Sequence, residues 1–243
     1  MAACGSACFI ADPDWSDNLS VKISFADLTH TGQVVAANTF PLGISFVGSF
    51  ARQELGDEID IELFKYPDDF ANYLDRNTPR IAGFSSFTWN LRLHHEYAKR
   101  LKAVSPETVT IFGGPHFPGS PEEQQAFLEK FPHIDFFVEF EGEQAFVSLF
   151  RALQEVDFDI ARFKAERRHT PSLRYLVDNE LIQAPLVKKF TDLSKLPSPH
   201  LTGICDKFYD DVLIPMIQST RGCPYQCSFC WEGGSFFTKI KRF

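Results

Sequence analysis

The sequence predicts an α/β fold whose first 155 residues form a flavodoxin-like (Rossmann-like), doubly wound parallel sheet. Short runs rich in β-branched and aromatic residues alternate with longer stretches of helical periodicity. This alternation favours parallel strands joined by helices that cover both faces of the sheet. Five such strands suit the flavodoxin-like strand order, in which a ligand binds at the carboxyl ends of the strands, beside the switch point.

The five strands are predicted at Val21–Leu28, Ile59–Tyr66, Ile81–Phe87, Thr108–Phe112 and Ile134–Phe140. Helices are predicted near 40–54, 67–76, 91–104 and 121–131, and a last one near 143–155 carries an i, i+3, i+4, i+7 apolar stripe. Residues near the carboxyl ends of the strands are candidates for ligand contact because they combine hydroxyl groups, an imidazole and flexible glycines: Thr29, Ser85, Ser86, Thr88, Gly113, Gly114 and His116.

Residues 156–212 are expected to form a linker with a β-hairpin. Leu173–Val177 and Leu181–Gln183 flank Asp178-Asn179, a plausible tight turn. A proline-rich stretch at 196–200 is predicted to be extended. Val212–Ser219 is predicted to be an apolar strand that begins a further unit, 213–243, and leads into a cysteine-rich loop.

Composition limits the possible partners and compartment. The formal net charge of −8 disfavours a general nucleic-acid binder. The acidic N-terminus does not resemble a secretory signal, and no apolar run approaches the ~20 residues that span a bilayer. Six cysteines, three of them crowded together, suit a reducing environment. We therefore expect a soluble, cytoplasmic protein with no membrane span and no nucleic-acid partner.

The most specific pattern in the chain is the C-x3-C-x2-C spacing of Cys223, Cys227 and Cys230. Three thiolates can bind three irons of a 4Fe–4S cluster and leave the fourth iron open to another ligand. The alternative is a zinc site with Cys205 as the fourth ligand, although structural zinc more often uses two separated cysteine pairs. The spacing favours the cluster.

The loop Thr220-Arg221-Gly222 followed by this cysteine pattern resembles the radical S-adenosylmethionine (SAM) superfamily. The resemblance implies that the three cysteines hold a 4Fe–4S cluster and that SAM chelates the fourth iron. Phe229 would lie near the adenine of SAM, and the cluster would receive an electron from a donor such as a flavodoxin or ferredoxin. The strand and loop would begin a partial TIM barrel.

A second resemblance covers the first 155 residues. Gly113-Gly114-Pro115-His116, Pro121-Glu122-Glu123, Glu141-Gly142-Glu143 and the segment 83–90 are similar to the cobalamin-binding domain that precedes many radical SAM domains. The D-x-H-x-x-G motif that supplies a histidine to cobalt elsewhere is absent, because His30 stands at the wrong spacing from Asp27. The resemblance therefore implies cobalamin bound without a protein ligand to cobalt, with His30 as an ordinary loop residue.

Other ionisable residues have structural interpretations. Glu141 and Glu143 are expected to provide charge and capping at a helix start. His94 and His95 are neighbours in a predicted helix, so their side chains point in different directions and do not form a joint metal site.

Together the resemblances imply an enzyme that forms a 5′-deoxyadenosyl radical from SAM and transfers a methyl group to an unactivated carbon. Related proteins use the same cofactors for ring formation or rearrangement. Only Trp231–Phe243 follow the last cysteine, so the barrel is expected to be truncated and the chain inactive alone. Two alternatives remain: a non-catalytic cobalamin-binding module with a vestigial cluster loop, and a zinc-stabilised α/β protein.

Overall fold

The computed structural model describes residues 20–32, 34–223, 225, 227–230 and 241–242. Its centre is a seven-stranded sheet with the order β2-β1-β3-β4-β5-β6-β7. The strands are β1 (Val21–Ala26), β2 (Ile59–Phe64), β3 (Ile81–Ser85), β4 (Val109–Gly113), β5 (Phe136–Val138), β6 (Leu173–Val177) and β7 (Glu180–Gln183).

The first five strands pair in parallel in the order 2-1-3-4-5, which confirms the flavodoxin-like prediction. The order reverses between β1 and β3, because β2 lies on one side of β1 and all later strands lie on the other. The predicted hairpin is also confirmed, since Asp178 and Asn179 turn the chain with positive φ angles of 48° and 62°. It extends the same sheet, with β6 antiparallel to β5.

Helices cover both faces of the sheet. They are α1 (Leu42–Leu55), α2 (Pro67–Leu74), α3 (Leu91–Val104), α4 (Pro121–Lys130), α5 (Glu143–Gln154) and α6 (Ile160–Ala165). Side chains of α1, α5 and α6 pack in one apolar core, and those of α2, α3 and α4 pack in a second core on the opposite face. Burial of these two apolar layers is the main force that holds the fold together.

Most predicted element bounds differ from the structure by only one or two residues. The strand β5, predicted as Ile134–Phe140 but observed as Phe136–Val138, is shorter at both ends, because an apolar run does not show where ladder pairing stops. The short helix α6 was not predicted, although its N-cap is visible in the sequence. Asp159 accepts a hydrogen bond of 2.9 Å from the amide of Arg162.

The stretch after β7 packs against the α/β domain rather than standing apart from it. Its buried apolar residues join the core beside α1: Leu193, Leu196, Ile204, Cys205, Phe208 and Leu213. The hydroxyl of Tyr66 donates a hydrogen bond to Asp210, which ties this stretch to the loop after β2.

The prediction of a strand at Val212–Ser219 was wrong. The structure has one isolated parallel bridge there, between Thr39 and Ile214, and then the two-residue strand β8 (Thr220–Arg221) paired with β9 (Lys241–Arg242). Apolar composition alone does not make a strand where no neighbouring strand within the described residues supplies a ladder of backbone partners. Ile217, for example, is 85% exposed.

In the part of the chain that the structure describes, no helix is both long and apolar enough to cross a membrane.

Candidate functional site

A cleft of about 650 Å³ opens at the carboxyl edge of the sheet. Its walls come from the ends of β1, β3, β4 and β5, the start of α1, and the segment that precedes the cysteine loop. This is the edge where the strand order reverses, the usual ligand position in open α/β sheets. The fold therefore places the cleft where the sequence predicted a binding site.

A buried polar network lies at the cleft floor and is centred on Asp27, just after β1. Its Oδ2 pairs with the ammonium of Lys65 at 3.1 Å. Its Oδ1 accepts hydrogen bonds from the Ser85 hydroxyl and, at 2.9 Å, from the side-chain amide of Asn90. Asn90 also accepts a bond from the amide of Phe87 through its Oδ1. The network fixes the loops after β1, β2 and β3 relative to one another.

His94 supports the same floor from α3. Its Nε2 accepts a hydrogen bond of 2.8 Å from the amide of Leu28, so its Nδ1 carries the proton and donates to the carbonyl of Ser85 at 2.6 Å. Burial lowers the pKa of His94 to about 4. His95 lies in a different environment, stacked on Phe131 and hydrogen-bonded to His133. The two neighbouring histidines therefore have separate structural roles.

Gly114 allows two loops to approach closely beside the cleft. It has φ of +130°, and a β-carbon there would lie 2.8 Å from the carbonyl oxygen of Ser86. The amide of Ser86 donates to the carbonyl of Gly113, and its hydroxyl donates to the carbonyl of His116 at 3.1 Å. Gly113 and Gly114 line the cleft, whereas Ser86 is fully buried and joins the ends of β3 and β4.

Apolar and aromatic side chains form much of the cleft wall. Phe87 and Trp89 stack with their ring centroids 4.5 Å apart at one side, and Phe25 and Phe46 line another part. Trp89 is 53% exposed. A wall of this kind suits a large, partly apolar ligand.

Another part of the cleft carries a cluster of charges. Glu141, Glu143, Lys189 and Arg221 all line it. Glu143 and Arg221 form an ion pair whose side chains are 4% and 14% exposed. Burial raises the pKa of Glu141, whereas the charge of Arg221 opposes that rise. The Oε2 of Glu141 is buried and has no hydrogen-bond partner among the described residues, so it can accept a bond from a ligand.

The cysteine loop lies at the same side. Gly222 lines the cleft and Cys223 follows it, half-buried, while Cys227 and Cys230 are exposed. Among the described residues no three metal-ligating side chains are gathered into a ready site. Cys205 is buried in the apolar core, where its thiol hydrogen-bonds with Ser45 and burial raises its pKa. This placement does not support Cys205 as a fourth zinc ligand.

The remaining sequence-predicted residues do not line the cleft in the described part of the chain. Thr29 is fully buried, and its hydroxyl accepts a hydrogen bond from the amide of Ala37. Thr88 Oγ1 and His116 Nδ1 lie 3.5 Å apart at an exposed position. The Nε2 of His30 bonds with the carbonyl of Trp89. Phe229 is 92% exposed. Of the hydroxyl candidates, Ser85 is the one that lines the cleft.

Sequence reasoning missed two ion pairs that organise the site. Lys65 and Asp27 stand 38 positions apart, and Arg221 and Glu143 stand 78 apart. The Asp27–Lys65 pair could have been inferred once the strand order was known, because these residues follow two strands that are neighbours in the sheet. No local pattern indicates the second.

Cobalamin fits the groups that the cleft presents. It is a flat corrin ring fringed by amide groups, with a nucleotide tail. The aromatic wall can pack against its apolar parts, and the unpartnered Oε2 of Glu141 can accept from an amide. No histidine is found among the described residues that line the cleft.

Comparison with known proteins supports the same interpretation. The family model of the B12 binding domain matches residues 30–150. The cobalamin-dependent radical SAM methyltransferase TokK of Streptomyces tokunonensis is 30% identical over 178 residues, which are 68% of this chain and 24% of that protein. The anaerobic magnesium-protoporphyrin IX monomethyl ester cyclase of Rubrivivax gelatinosus is 30% identical over 63% of this chain and 27% of its own length.

A solved structure shows the same fold. It is the cobalamin-dependent S-adenosylmethionine radical enzyme OxsB with aqua-cobalamin and S-adenosylmethionine bound, which matches 87% of this chain with a TM-score of 0.60 and 20% identity. The match covers 28% of that protein. The chain thus spans about a quarter of the length of these relatives.

Proposed function

The chain belongs to the family of cobalamin-binding-domain-containing radical SAM proteins, with its B12-binding domain at residues 30–150, and from this premise we propose that its cleft binds cobalamin beside a 4Fe–4S cluster held by Cys223, Cys227 and Cys230. SAM would chelate the open iron, with Phe229 near its adenine. The whole protein would transfer a methyl group to an unactivated carbon, after reduction by a flavodoxin- or ferredoxin-type donor.

One observation carries the proposal: the cleft at the switch point and the cysteine loop share a wall. Gly222 lines the cleft directly before Cys223. A methyl group carried by the corrin and a radical generated at the cluster must meet at one substrate, so their sites have to be adjacent. This adjacency favours a catalytic pair over a cobalamin module with a vestigial loop.

The bound cofactors would supply the reactive chemistry, a carbon radical from SAM and a methyl group from methylcobalamin. The protein's residues would bind and orient them. Phe87 and Trp89 would pack against apolar parts of the corrin, and Glu141 would accept a hydrogen bond from one of its amides. Asp27, Lys65 and Ser85 would keep the floor rigid, so that the corrin takes one position.

The choice of methyl transfer over ring formation rests on the identity to a named methyltransferase. The similarity to a cyclase makes ring formation the second candidate. Zinc stabilisation receives no support from the place of Cys205 in the core.

A cleft-filling variant tests the binding site. Gly43 lines the cleft, and a β-carbon there would meet no heavy atom within 4 Å. We expect Gly43→Trp to fold but to lose retention of hydroxocobalamin after anaerobic gel filtration, measured by visible absorption. Gly32→Trp is the matched control, because Gly32 has equal space and does not line the cleft. Equal corrin retention in both variants would contradict the proposed site.

A further inference from the structure

We propose that the ion pair between Glu143 and Arg221 is a positioning device that holds the cysteine loop against the mouth of the cleft. The inference rests on the proposed function, because it gives the pair the task of setting where the cluster stands relative to cobalamin. Both residues act through the loop rather than on a reacting atom.

The pair joins two separate parts of the fold. Glu143 is the first residue of α5, directly after the turn that follows β5, and Arg221 belongs to β8, two residues before Cys223. The guanidinium donates to Glu143 Oε1 at 2.5 Å through Nη2 and to Gln218 Oε1 at 3.0 Å through Nε. The bond to Glu143 connects the loop to the α/β domain, and the bond to Gln218 orients the guanidinium within its own segment.

Packing on α1 restrains the same side chain. The guanidinium carbon of Arg221 lies 5.1 Å from the ring centroid of Phe46, a cation–π contact. A planar group that is hydrogen-bonded at its edge and stacked on its face has few alternative positions. Arg221 is therefore fixed from α1 and α5 together, and both helices also line the cleft.

Burial makes this pair different from the surface ion pairs of the chain. Glu143 and Arg221 have side chains that are 4% and 14% exposed, whereas those of Arg167 and Glu180 are 47% and 61% exposed. Removing one partner of a buried pair leaves an uncompensated buried charge, which favours movement of the loop to solvent. Removing one partner of an exposed pair has little effect.

The residues beyond Arg221 depend on this anchor. Tyr225 and Phe229 are 70% and 92% exposed, and Cys227 and Cys230 are exposed. Cys223, close to Arg221, is half-buried. We therefore expect release of Arg221 to expose Cys223 while leaving Cys227 and Cys230 as exposed as before.

The test measures alkylation of the thiols in the full chain without metal. A short iodoacetamide pulse followed by peptide mass spectrometry gives the rate at Cys223 relative to that at Cys230, an internal reference. In Glu143→Gln and in Arg221→Gln we expect this ratio to rise at least ~5-fold. Glu180→Gln, which removes an exposed partner, should leave the ratio unchanged.

The two variants separate loop release from an electrostatic effect. Glu143→Gln leaves an extra positive charge near Cys223, which alone would speed alkylation, whereas Arg221→Gln removes a positive charge, which alone would slow it. An increase in both variants therefore indicates release. A ratio within twofold of the wild type in either variant would overturn the inference.

Alkylation of the metal-free chain and cofactor retention by the reconstituted wild type are separate measurements, so failure of this inference and failure of the proposed function can be told apart. Wild-type chain that retains neither corrin nor iron would contradict the proposed function, yet the alkylation ratios would still report whether the pair holds the loop. Conversely, the wild-type chain could retain both cofactors while the Cys223-to-Cys230 alkylation ratios of Glu143→Gln and Arg221→Gln equal that of the wild type. That result would contradict the positioning role alone.

Discussion

The carboxylate of Asp27 accepts a hydrogen bond from the hydroxyl of Ser85, and this bond joins the carboxyl ends of β1 and β3 at the point where the strand order reverses. Lys65 neutralises the same carboxylate from the end of β2. The cleft floor is thus a polar network that is satisfied within the protein, and the cleft lining above it is largely apolar.

Removal of the charge on Asp27 should destabilise the domain. Lys65 is 2% exposed, so Asp27→Asn would leave its ammonium buried beside a neutral amide. We expect the free energy of unfolding to fall by ~3–5 kcal/mol in urea denaturation. Glu62→Gln is the control, because Glu62 pairs with Lys207 on the surface, and it should cost less than ~1 kcal/mol. Similar losses of unfolding free energy in both variants would contradict a larger contribution from the buried Asp27–Lys65 pair than from a surface pair.

Gly114 should tolerate no side chain. A β-carbon would lie 2.8 Å from the Ser86 carbonyl oxygen, at a φ of +130° that strains other residues. Gly114→Ala is therefore expected to lower the free energy of unfolding by about 2 kcal/mol or more and to weaken corrin retention. Gly32→Ala, with open space around the new methyl group, should match the wild type. Wild-type stability in Gly114→Ala would mean that the two loops separate readily.

His30→Ala should leave the environment of bound cobalt unchanged. His30 bonds with the carbonyl of Trp89 and does not line the cleft in the described part of the chain. The electron paramagnetic resonance spectrum of cob(II)alamin reports an axial nitrogen directly, so the spectra of variant and wild type should superimpose. Loss of a nitrogen splitting in the variant would identify His30 as a cobalt ligand instead.

Acid should destabilise the fold through buried neutral histidines. Burial lowers the pKa of His94 from 6.5 to about 4, so the folded state binds fewer protons than the unfolded chain in this range. The stabilisation is present above pH 6.5 and is lost as pH falls towards about 4, a contribution of ~3 kcal/mol. His95 and His133 act in the same direction, with pKa values of about 3 and about 4.

Urea unfolding at two pH values checks the His94 contribution. His94→Gln should be less stable at neutral pH and should lose less stability on acidification than the wild type, because one of the three buried imidazoles is gone. Exposed His169→Gln is the matched control and should keep the wild-type pH dependence. If His94→Gln loses as much unfolding free energy between the two pH values as the wild type, the acid sensitivity belongs to other groups.

The parallel core of the fold was predictable because each of its elements has a local signal. Strand runs such as Ile81–Ser85 and the helix with the Phe146 stripe lie where periodicity places them. The prediction of a strand at Val212–Ser219 was wrong because a strand needs a neighbouring strand to pair with, and no local pattern reveals that neighbour. The attachment of β6 and β7 to the same sheet likewise depends on a long-range choice of partner.

The candidate site was predictable in position and less so in detail. The switch-point rule located Ser85, Gly113 and Gly114 at the cleft. It did not show that Thr29 and Ser86 use their hydroxyls within the protein, because such bonds depend on loop geometry. Glu143 was interpreted as a helix-start charge, and its partner Arg221 could be found only in three dimensions.

The central claim is that one chain places cobalamin and a three-cysteine cluster side by side. It is tested most directly by anaerobic reconstitution with iron, sulfide and hydroxocobalamin, followed by counting corrin and iron per chain in wild type and in Cys227→Ala. We predict corrin in both proteins, with about four irons in the wild type and few in the variant. Zinc in place of iron and no bound corrin in the wild type would contradict the account.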